Sequence, residues 1–331
     1  MRRFLLTVFL LAALLVLGGG AAGLWWVYQP MHMPQAPVDL SVESGTLPRG
    51  VAQAVTDAGV DVHPDLLYWW FRVSGQARQI KAGSYELEAG LTPHRLLSKL
   101  ARGEEALRSV TLVEGWTFRQ FRAALAKEEH LKPETHGLPD AELMAKVGRP
   151  GQHPEGRFFP DTYTYARGTS DVAVLQRAVR AMDRRLAAAW EQRTPDAVTR
   201  SPEEALILAS IVEKETGKGA DRPLVSAVFN NRLRIGMRLQ TDPTVIYGLG
   251  ETFDGNLRRS DLQADTPWNT YTRPGLPPTP IAMPGKASLL AAVQPGPTKA
   301  IYFVARGDGS SQFSQTLDEH NRAVNKFQRG Q

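Results

Sequence analysis

The sequence of 331 residues contains no cysteine. Without a thiol, the chain can form no disulfide bond, no thiolate zinc site and no cysteine nucleophile. A lipoprotein anchor is excluded too, because that anchor requires a modified cysteine. An oxidising compartment would therefore leave this protein chemically intact.

The sequence also lacks the patterns that hold metals, nucleotides or nucleic acids. Its 7 histidines are scattered without an HExxH pair, and there is no Walker A loop, no complete GxGxxG and no GxSxG motif. The net charge of +5 is too small an excess to argue for nucleic acid. These absences predict no metal, no cofactor and no nucleic-acid partner. Carboxylates remain as the candidates for catalysis.

Only one long hydrophobic run is present, over residues 4–27. A helix of that length spans about 36 Å, which exceeds the roughly 30 Å hydrocarbon core of a membrane. Arginines precede the run and aromatic residues mark its outer end, as in a single-pass anchor with residues 1–3 in the cytoplasm. The flanking residues are Arg2, Arg3, Trp25, Trp26 and Tyr28. The alternative is a cleaved signal peptide with its small-residue site at 20–22.

The exported part is predicted to be of α+β class, with a small module ahead of a larger domain. Residues 28–37 are rich in proline and indicate a linker. Residues 38–104 have the pattern of a strand, two helices, a second strand and a helix. The remainder, 105–331, continues with a strand and a helix, a Pro- and Gly-rich boundary at 130–153 and long helices. It ends in a loop-rich region with a late strand at 301–304.

The most informative segment is a helix that begins after Ser201. Ser201 is a good N-cap, Pro202 suits the first helical position, and Glu204 completes a capping box with Ser201. Gly217 is a plausible stop signal. The helix is therefore predicted over 202–216.

The two carboxylates near the end of this helix point in different directions. At about 100° per residue from Leu206, Glu215 falls near 180° and Glu213 near 340°. The first angle lies within an apolar stripe and the second lies on the polar side, beside Ser210. The stripe consists of Leu208, Ile211 and Val212. We therefore expect Glu215 to face the protein or a cleft, and Glu213 to face water.

Two interpretations of Glu215 remain open at this point. It could be a structural carboxylate paired with Arg222 or Arg232. Alternatively, the apolar surroundings disfavour its charged form and raise its pKa towards that of a general acid. General acids of this kind cleave glycosidic bonds.

Three long motifs resemble the YceG-like family of endolytic murein transglycosylases. They are Ala209–Thr216 (ASIVEKET), Asn231–Gly248 (NRLRIGMRLQTDPTVIYG) and Asn269–Pro278 (NTYTRPGLPP). Glu155–Thr162 (EGRFFPDT) and the pair His320 and Asn321 fit the family as well. The resemblance implies a LysM-like βααβ module at 38–104 and a catalytic α+β domain at 105–331. It also implies that the catalytic residue is Glu215, at the end of a helix.

The resemblance places further polar residues at a substrate cleft. These are Gln240, Thr241, Asp242, Thr244, Asn269 and Tyr271. Without it, residues 240–244 fit a turn around Asp242 and Pro243, and Asn269 or Tyr271 could merely cap a loop. Phe158, Phe159 and Tyr163 could stack on sugars, although a place in the core is the simpler expectation for at least one of them.

The implied reaction splits the bond between N-acetylmuramic acid and N-acetylglucosamine and leaves a 1,6-anhydro ring, with no metal or cofactor. Implied partners are glycan strands, the inner membrane and peptidoglycan synthases, and the implied role is to end nascent strands. Two rivals stay open. A hydrolase would need a second carboxylate, with Asp242 or Asp161 as candidates. A non-catalytic wall-binding scaffold would hold Glu215 in an ion pair.

Overall fold

A computed structural model describes residues 2–330 of the chain. Its helices are α1 (Arg2–Val27), α2 (Pro48–Asp57), α3 (Pro64–Val73), α4 (Pro93–Arg102), α5 (Phe118–Ala126), α6 (Asp140–Lys146), α7 (Asp171–Glu191), α8 (Pro202–Glu215), α9 (Arg222–Arg234), α10 (Asp242–Leu249), α11 (Arg259–Gln263), α12 (Lys286–Val293) and α13 (Leu317–Gln328). Its strands are β1 (Val38–Val42), β2 (Gly83–Leu87), β3 (Leu107–Thr111), β4 (Thr162–Ala166), β5 (Tyr302–Ala305) and β6 (Ser311–Ser314). The strands form two-stranded sheets, β1 with β2, β3 with β4 and β5 with β6. The predicted α+β class is confirmed, with helices supplying most of the structure.

The N-terminal helix α1 contains the apolar segment Leu6–Val27, whose mean hydropathy is 2.2. Within residues 2–330 it is the one helix long and apolar enough to cross a membrane. This agrees with the predicted anchor as far as length and composition can test it. The first residue of the predicted cytoplasmic segment 1–3 lies outside the described residues.

The first of two compact units comprises residues up to 108 together with 164–168. Here β1 and β2 pair antiparallel, from Val38 opposite Leu87 to Val42 opposite Gly83. Helices α2, α3 and α4 each begin with a proline, a residue suited to the first turn because that turn needs no N–H donor. The order strand, helix, helix, strand, helix predicted for 38–104 is the order observed.

The second unit, residues 109–163 and those from 169 onwards, is organised around α8. Every residue from Ala205 to Val212 is buried, because α7, α9, α10 and α12 all pack against this helix. The prediction of a single apolar stripe was therefore too narrow. Ser210, expected on a polar side, is fully buried and hydrogen-bonds to the backbone of Ile207 and Ile281.

The start of α8 differs from the predicted capping box in one bond. The hydroxyl of Ser201 accepts from the N–H of Glu204 at 3.2 Å, as expected of an N-cap. The carboxylate of Glu204, however, accepts from the N–H of Arg200 at 2.6 Å and not from Ser201. The cap still satisfies two backbone donors at the helix start.

Two regions predicted to be irregular contain helices. The predicted boundary at 130–153 includes α6, whose Leu143 and Met144 are buried within the second unit. The region after residue 236 contains α10, α11, α12 and α13. Apart from α13, these helices have five to eight residues, so each offers too few turns for a recognisable apolar period. The helix α13 has 12 residues and was not predicted.

Candidate active site

Glu215 is the last residue of α8, and its side chain is half-buried. One carboxylate oxygen, Oε1, accepts a hydrogen bond from the hydroxyl of Thr241. Burial raises the pKa of Glu215 and the nearby carboxylate of Asp242 adds to the rise, while the Thr241 bond and the charge of Arg232 oppose it. A partly accessible carboxyl whose pKa is raised holds its proton more strongly than a solvated one and can still reach a substrate.

The segment that meets Glu215 is held by a cluster of threonine hydroxyls. Gln240 adopts a left-handed backbone with φ of 48°, an uncommon conformation outside glycine. Its N–H donates to the carbonyl of Thr270 at 3.2 Å, and the N–H of Thr241 donates to the hydroxyl of Thr270 at 3.1 Å. The hydroxyl of Thr244 donates to the carbonyl of Thr241 at 2.7 Å. These bonds fix the turn that presents Thr241 to Glu215.

Asp242 and Tyr271 meet beside this turn. The phenol of Tyr271 donates to Oδ1 of Asp242 at 2.5 Å. Burial raises the pKa of Tyr271, and the hydrogen bond to Asp242 raises it further, so the phenol stays protonated. Asp242 is exposed and Tyr271 is half-buried, so both retain surface that a solute could contact.

Asn269 is fully buried and holds its own loop together. Its amide nitrogen donates to the carbonyls of Asp261, Leu262 and Ala264 at 3.3, 3.1 and 2.6 Å. Its amide oxygen accepts from the N–H of Tyr271 at 2.8 Å. Of the two roles considered for Asn269, this geometry supports the loop cap.

The six predicted substrate residues therefore fall into two groups. Gln240, Asp242 and Tyr271 keep exposed surface, whereas Thr241, Thr244 and Asn269 are buried and shape the loops that carry the others.

The ion pair considered as one interpretation of Glu215 does not form among residues 2–330. Arg222 pairs instead with Glu213, at 3.6 Å. Arg232 is buried, and its Nε and one terminal nitrogen donate to the carbonyls of Ile301 and Leu239, both at 2.6 Å. Its guanidinium lies 5.4 Å from the ring centre of Tyr302. Arg232 thus acts on Glu215 through its charge, without a direct contact.

The expectation that Glu213 faces water was wrong. Only 8% of its side chain is exposed, and its carboxylate accepts the N–H of Gly285 at 2.9 Å. Gly285 is the N-cap of α12, which covers this face of α8. Periodicity within α8 carries no information about a residue 72 positions later in the chain that packs over this face.

The aromatic residues in and next to the 155–162 motif lie in the core, and so they do not form a surface on which a sugar could stack. Phe158, Phe159 and Tyr163 are 0%, 6% and 8% exposed, and Phe158 stacks on Phe118 with ring centres 5.0 Å apart. Asp161, one candidate for a second acid, lies at a cavity beside α7.

Thr270 is a site residue that sequence reasoning missed, and Arg232 was considered there only as an ion-pair partner of Glu215 and not as a buried residue that binds backbone carbonyls. Both lie inside motifs already singled out, but no pattern of charge or period marks a buried arginine. Within the described part of the chain, no group of three or more His, Cys, Asp or Glu side chains is placed to hold a metal ion.

Comparisons with known proteins agree on one family. The model of the YceG-like family matches residues 40–326. A Bacillus subtilis protein named endolytic murein transglycosylase is 31% identical over 311 residues, covering 88% of this chain and 84% of its own length. A Streptococcus pneumoniae protein of the same name is 25% identical over 364 aligned positions, which cover 98% of this chain. The chain spans only 65% of that pneumococcal relative.

A solved structure shares the fold. The crystal structure of a YceG-like protein from Listeria monocytogenes superposes with a TM-score of 0.55 at 30% sequence identity. The match covers 86% of this chain and 98% of the Listeria chain.

Proposed function

Because this chain belongs to the YceG-like family, we propose that it is an endolytic murein transglycosylase, a lyase that cuts peptidoglycan strands internally. The relatives that bear this name support the proposal. The observation that carries it is the carboxyl of Glu215. This group is half-buried, has a raised pKa, is oriented by Thr241 and is in no ion pair among residues 2–330.

In the proposed reaction, Glu215 first acts as an acid. It gives its proton to the oxygen that joins C1 of N-acetylmuramic acid to N-acetylglucosamine, and the C1–O bond breaks. The carboxylate then takes the proton of the muramic C6 hydroxyl, whose oxygen bonds to C1. The product is a 1,6-anhydro ring, and the proton balance of Glu215 is restored without water. The tethered hydroxyl is an intramolecular nucleophile, which favours its attack over that of bulk water.

The other residues are proposed to bind and to position. Gln240, Asp242 and Tyr271 offer amide, carboxylate and phenol groups for hydrogen bonds to sugar. Thr241, Thr244 and Asn269 hold the two loops in place, and Thr241 also orients the carboxyl of Glu215. Catalysis of this kind depends on a rigid support for the acid.

The main rival is a hydrolase, which needs a second carboxylate to activate water or to hold the sugar. Asp242 is engaged by the phenol of Tyr271, and Glu213 is engaged by Arg222 and Gly285. Glu213 is therefore covered, whereas Asp242 could act as a base through its second carboxylate oxygen, and Asp161 lies at the cavity beside α7. We propose that Glu215, whose pKa is raised, serves as acid and base in turn, and the Asp242→Asn variant tests the alternative.

Product analysis tests this directly. We expect mass spectrometry of digested, purified glycan strands to show anhydro-muramic ends, which are lighter than hydrolysed ends by one water. Asp242→Asn should keep the anhydro products and raise KM by roughly tenfold or less, since a neutral acceptor can still bind Tyr271. Reducing muramic ends as the sole product, together with an inactive Asp242→Asn variant, would favour the hydrolase. No cleavage at all would favour the scaffold.

The remaining assignments follow from the family and the anchor. Residues 38–104 are proposed to be a LysM-like module that binds glycan strands, and residues 105–331 the catalytic domain. The protein would act at the periplasmic side of the inner membrane, next to peptidoglycan synthases, and end the elongation of nascent strands.

Retention of residues 4–27 as an anchor is a separate prediction. Their length and the aromatic residues at their outer end favour an uncleaved helix. N-terminal sequencing of the membrane-extracted protein should therefore find the original N-terminus. A mature chain that begins near Gly23 would identify the segment as a signal peptide.

A further inference from the structure

A cavity of about 450 Å³ lies between α7 and the segment 159–163 of the second unit. Four guanidinium groups line it, and one carboxylate, that of Asp161, lies among them. The four are Arg177, Arg180, Arg184 and Arg185. The cavity therefore has a clear excess of positive charge.

The excess is not neutralised along the helix. Arg180 and Arg184 are four residues apart and repel each other, which disfavours the helix. The positions three or four residues from Arg180, Arg184 and Arg185 hold one acid, Asp183, which is three residues after Arg180. Among residues 2–330, Arg180, Arg184 and Arg185 form no ion pair with a carboxylate. Asp183 of α7 forms its ion pair with Arg149 and not with these three arginines.

Aromatic rings of the opposite wall orient two of these arginines. The guanidinium of Arg177 lies 5.9 Å from the ring centre of Tyr163, and that of Arg185 lies 5.4 Å from the ring centre of Phe159. Tyr163 is itself held by a 2.7 Å bond from its hydroxyl to the carbonyl of Phe159. Arg185 is exposed, so the N–H edges of its guanidinium remain accessible, and such edges match the two oxygens of a carboxylate.

We propose that this cavity binds the acidic stem peptide attached to the muramic acid of the substrate. The inference rests on the proposed function for the identity of the ligand. Stem peptides carry several free carboxylates alongside alanine residues. The arginines supply donors for the carboxylates, and Phe159, Ala181 and Ala188 supply apolar wall for methyl groups.

The form of the site favours a peptide over a membrane surface. Binding to the surface of a lipid bilayer is typically made by polybasic segments next to a membrane helix or by amphipathic helices that insert an apolar face. Here the basic groups surround a concave space whose walls are partly apolar. A small ligand with several charges can enter such a space and satisfy several arginines at once.

The test is a double variant, Arg180→Gln with Arg184→Gln, in the full-length protein. The matched control is the double variant Arg193→Gln with Arg200→Gln, which removes two exposed arginines outside the cavity. Binding of a soluble stem tetrapeptide is measured by calorimetry on the Glu215→Gln background, which removes the need for turnover. We expect the cavity variant to weaken peptide binding by about tenfold or more and the control to bind like the parent.

Kinetics supply a second measurement. The preference for peptide-bearing strands over strands freed of peptides by an amidase should fall about tenfold in the cavity variant, through KM. Equal peptide binding by the parent and the cavity variant would overturn the proposal. The proposal would also be overturned if the parent bound phosphatidylglycerol vesicles through these arginines and did not bind the peptide. If the peptide binds at the cavity and no glycan is cleaved, the proposed reaction fails but the peptide site stands.

Discussion

Replacing Glu215 by Gln should reduce turnover of glycan strands by about 10²–10⁴-fold, because the amide keeps the shape of the carboxyl but cannot exchange a proton. Gln can still accept the hydrogen bond from Thr241, so the loop at 240–242 should keep its position. The loss should appear in kcat, with little change in KM, since the proton is needed in the transition state. Initial rates on purified strands, with products separated by chromatography, measure both constants.

Glu213→Gln is the matched control, two residues away on the same helix. Its side chain can still accept the N–H of Gly285, and it gives up only the charge that faces Arg222. We expect most of the activity to remain once the fold has been verified by circular dichroism. If Glu213→Gln abolished turnover and Glu215→Gln retained it, the assignment of the catalytic acid would be wrong.

Raising the pH from about 5 to 8 should destabilise this protein, and Glu155→Gln should remove much of that loss. Glu155 is buried, and its carboxylate accepts the N–H of Phe118 at 3.0 and 3.2 Å. Burial raises its pKa to about 7, although hydrogen bonds from Phe118, Tyr247 and Gly156 favour the charged form. The effect of burial on the pKa of Glu155 therefore exceeds the combined effect of these three hydrogen bonds.

The sign follows from proton binding in the two states. Between the unfolded pKa of 4.5 and the folded pKa of about 7, the folded protein holds a proton that the unfolded chain has lost. The contribution of Glu155 is thus fully present below pH 4.5 and is lost as the pH rises through 7. A shift of this size is worth about 3 kcal/mol in the free energy of unfolding.

Denaturant titrations of three proteins at several pH values measure this effect. Gln resembles the protonated acid, so Glu155→Gln should be more stable than the parent at pH 8 and nearly equal to it at pH 4.5. Glu142→Gln, an exposed carboxyl on α6, should follow the parent at every pH. Parallel curves for the parent and Glu155→Gln would show that Glu155 is charged in the folded protein.

Glu155 also connects the motif at 155–162 to the candidate site. Tyr247 hydrogen-bonds to Glu155 and belongs to α10, the helix that begins at Asp242. The ring of Tyr247 lies 5.5 Å from that of Trp268, next to Asn269. A motif whose aromatic residues suggested sugar stacking thus supports the loops of the site from within the core.

Local features of this protein could be read from its sequence alone. The apolar length of 4–27, the cap at Ser201 and the phase that turns Glu215 away from Glu213 depend on neighbours a few residues apart. Interactions over so few residues are set by helix geometry and by side-chain chemistry, and they do not depend on the tertiary fold. The motifs add the family, because three long matches in order seldom arise by chance.

Tertiary structure alone decided which polar groups are covered. Glu213 is buried by α12, Ser210 by the segment at 281, and Asn269 by its own loop. Arg222 pairs with Glu213, and Arg232 binds backbone carbonyls. Neither arginine therefore pairs with Glu215, whose carboxylate accepts a hydrogen bond from Thr241. The bonds of Glu213 to Gly285, of Ser210 to Ile281 and of Arg232 to Ile301 join residues 72, 71 and 69 positions apart in the chain. Periodicity reports which side of a helix is apolar, but the partner that arrives there is set by how the whole domain packs.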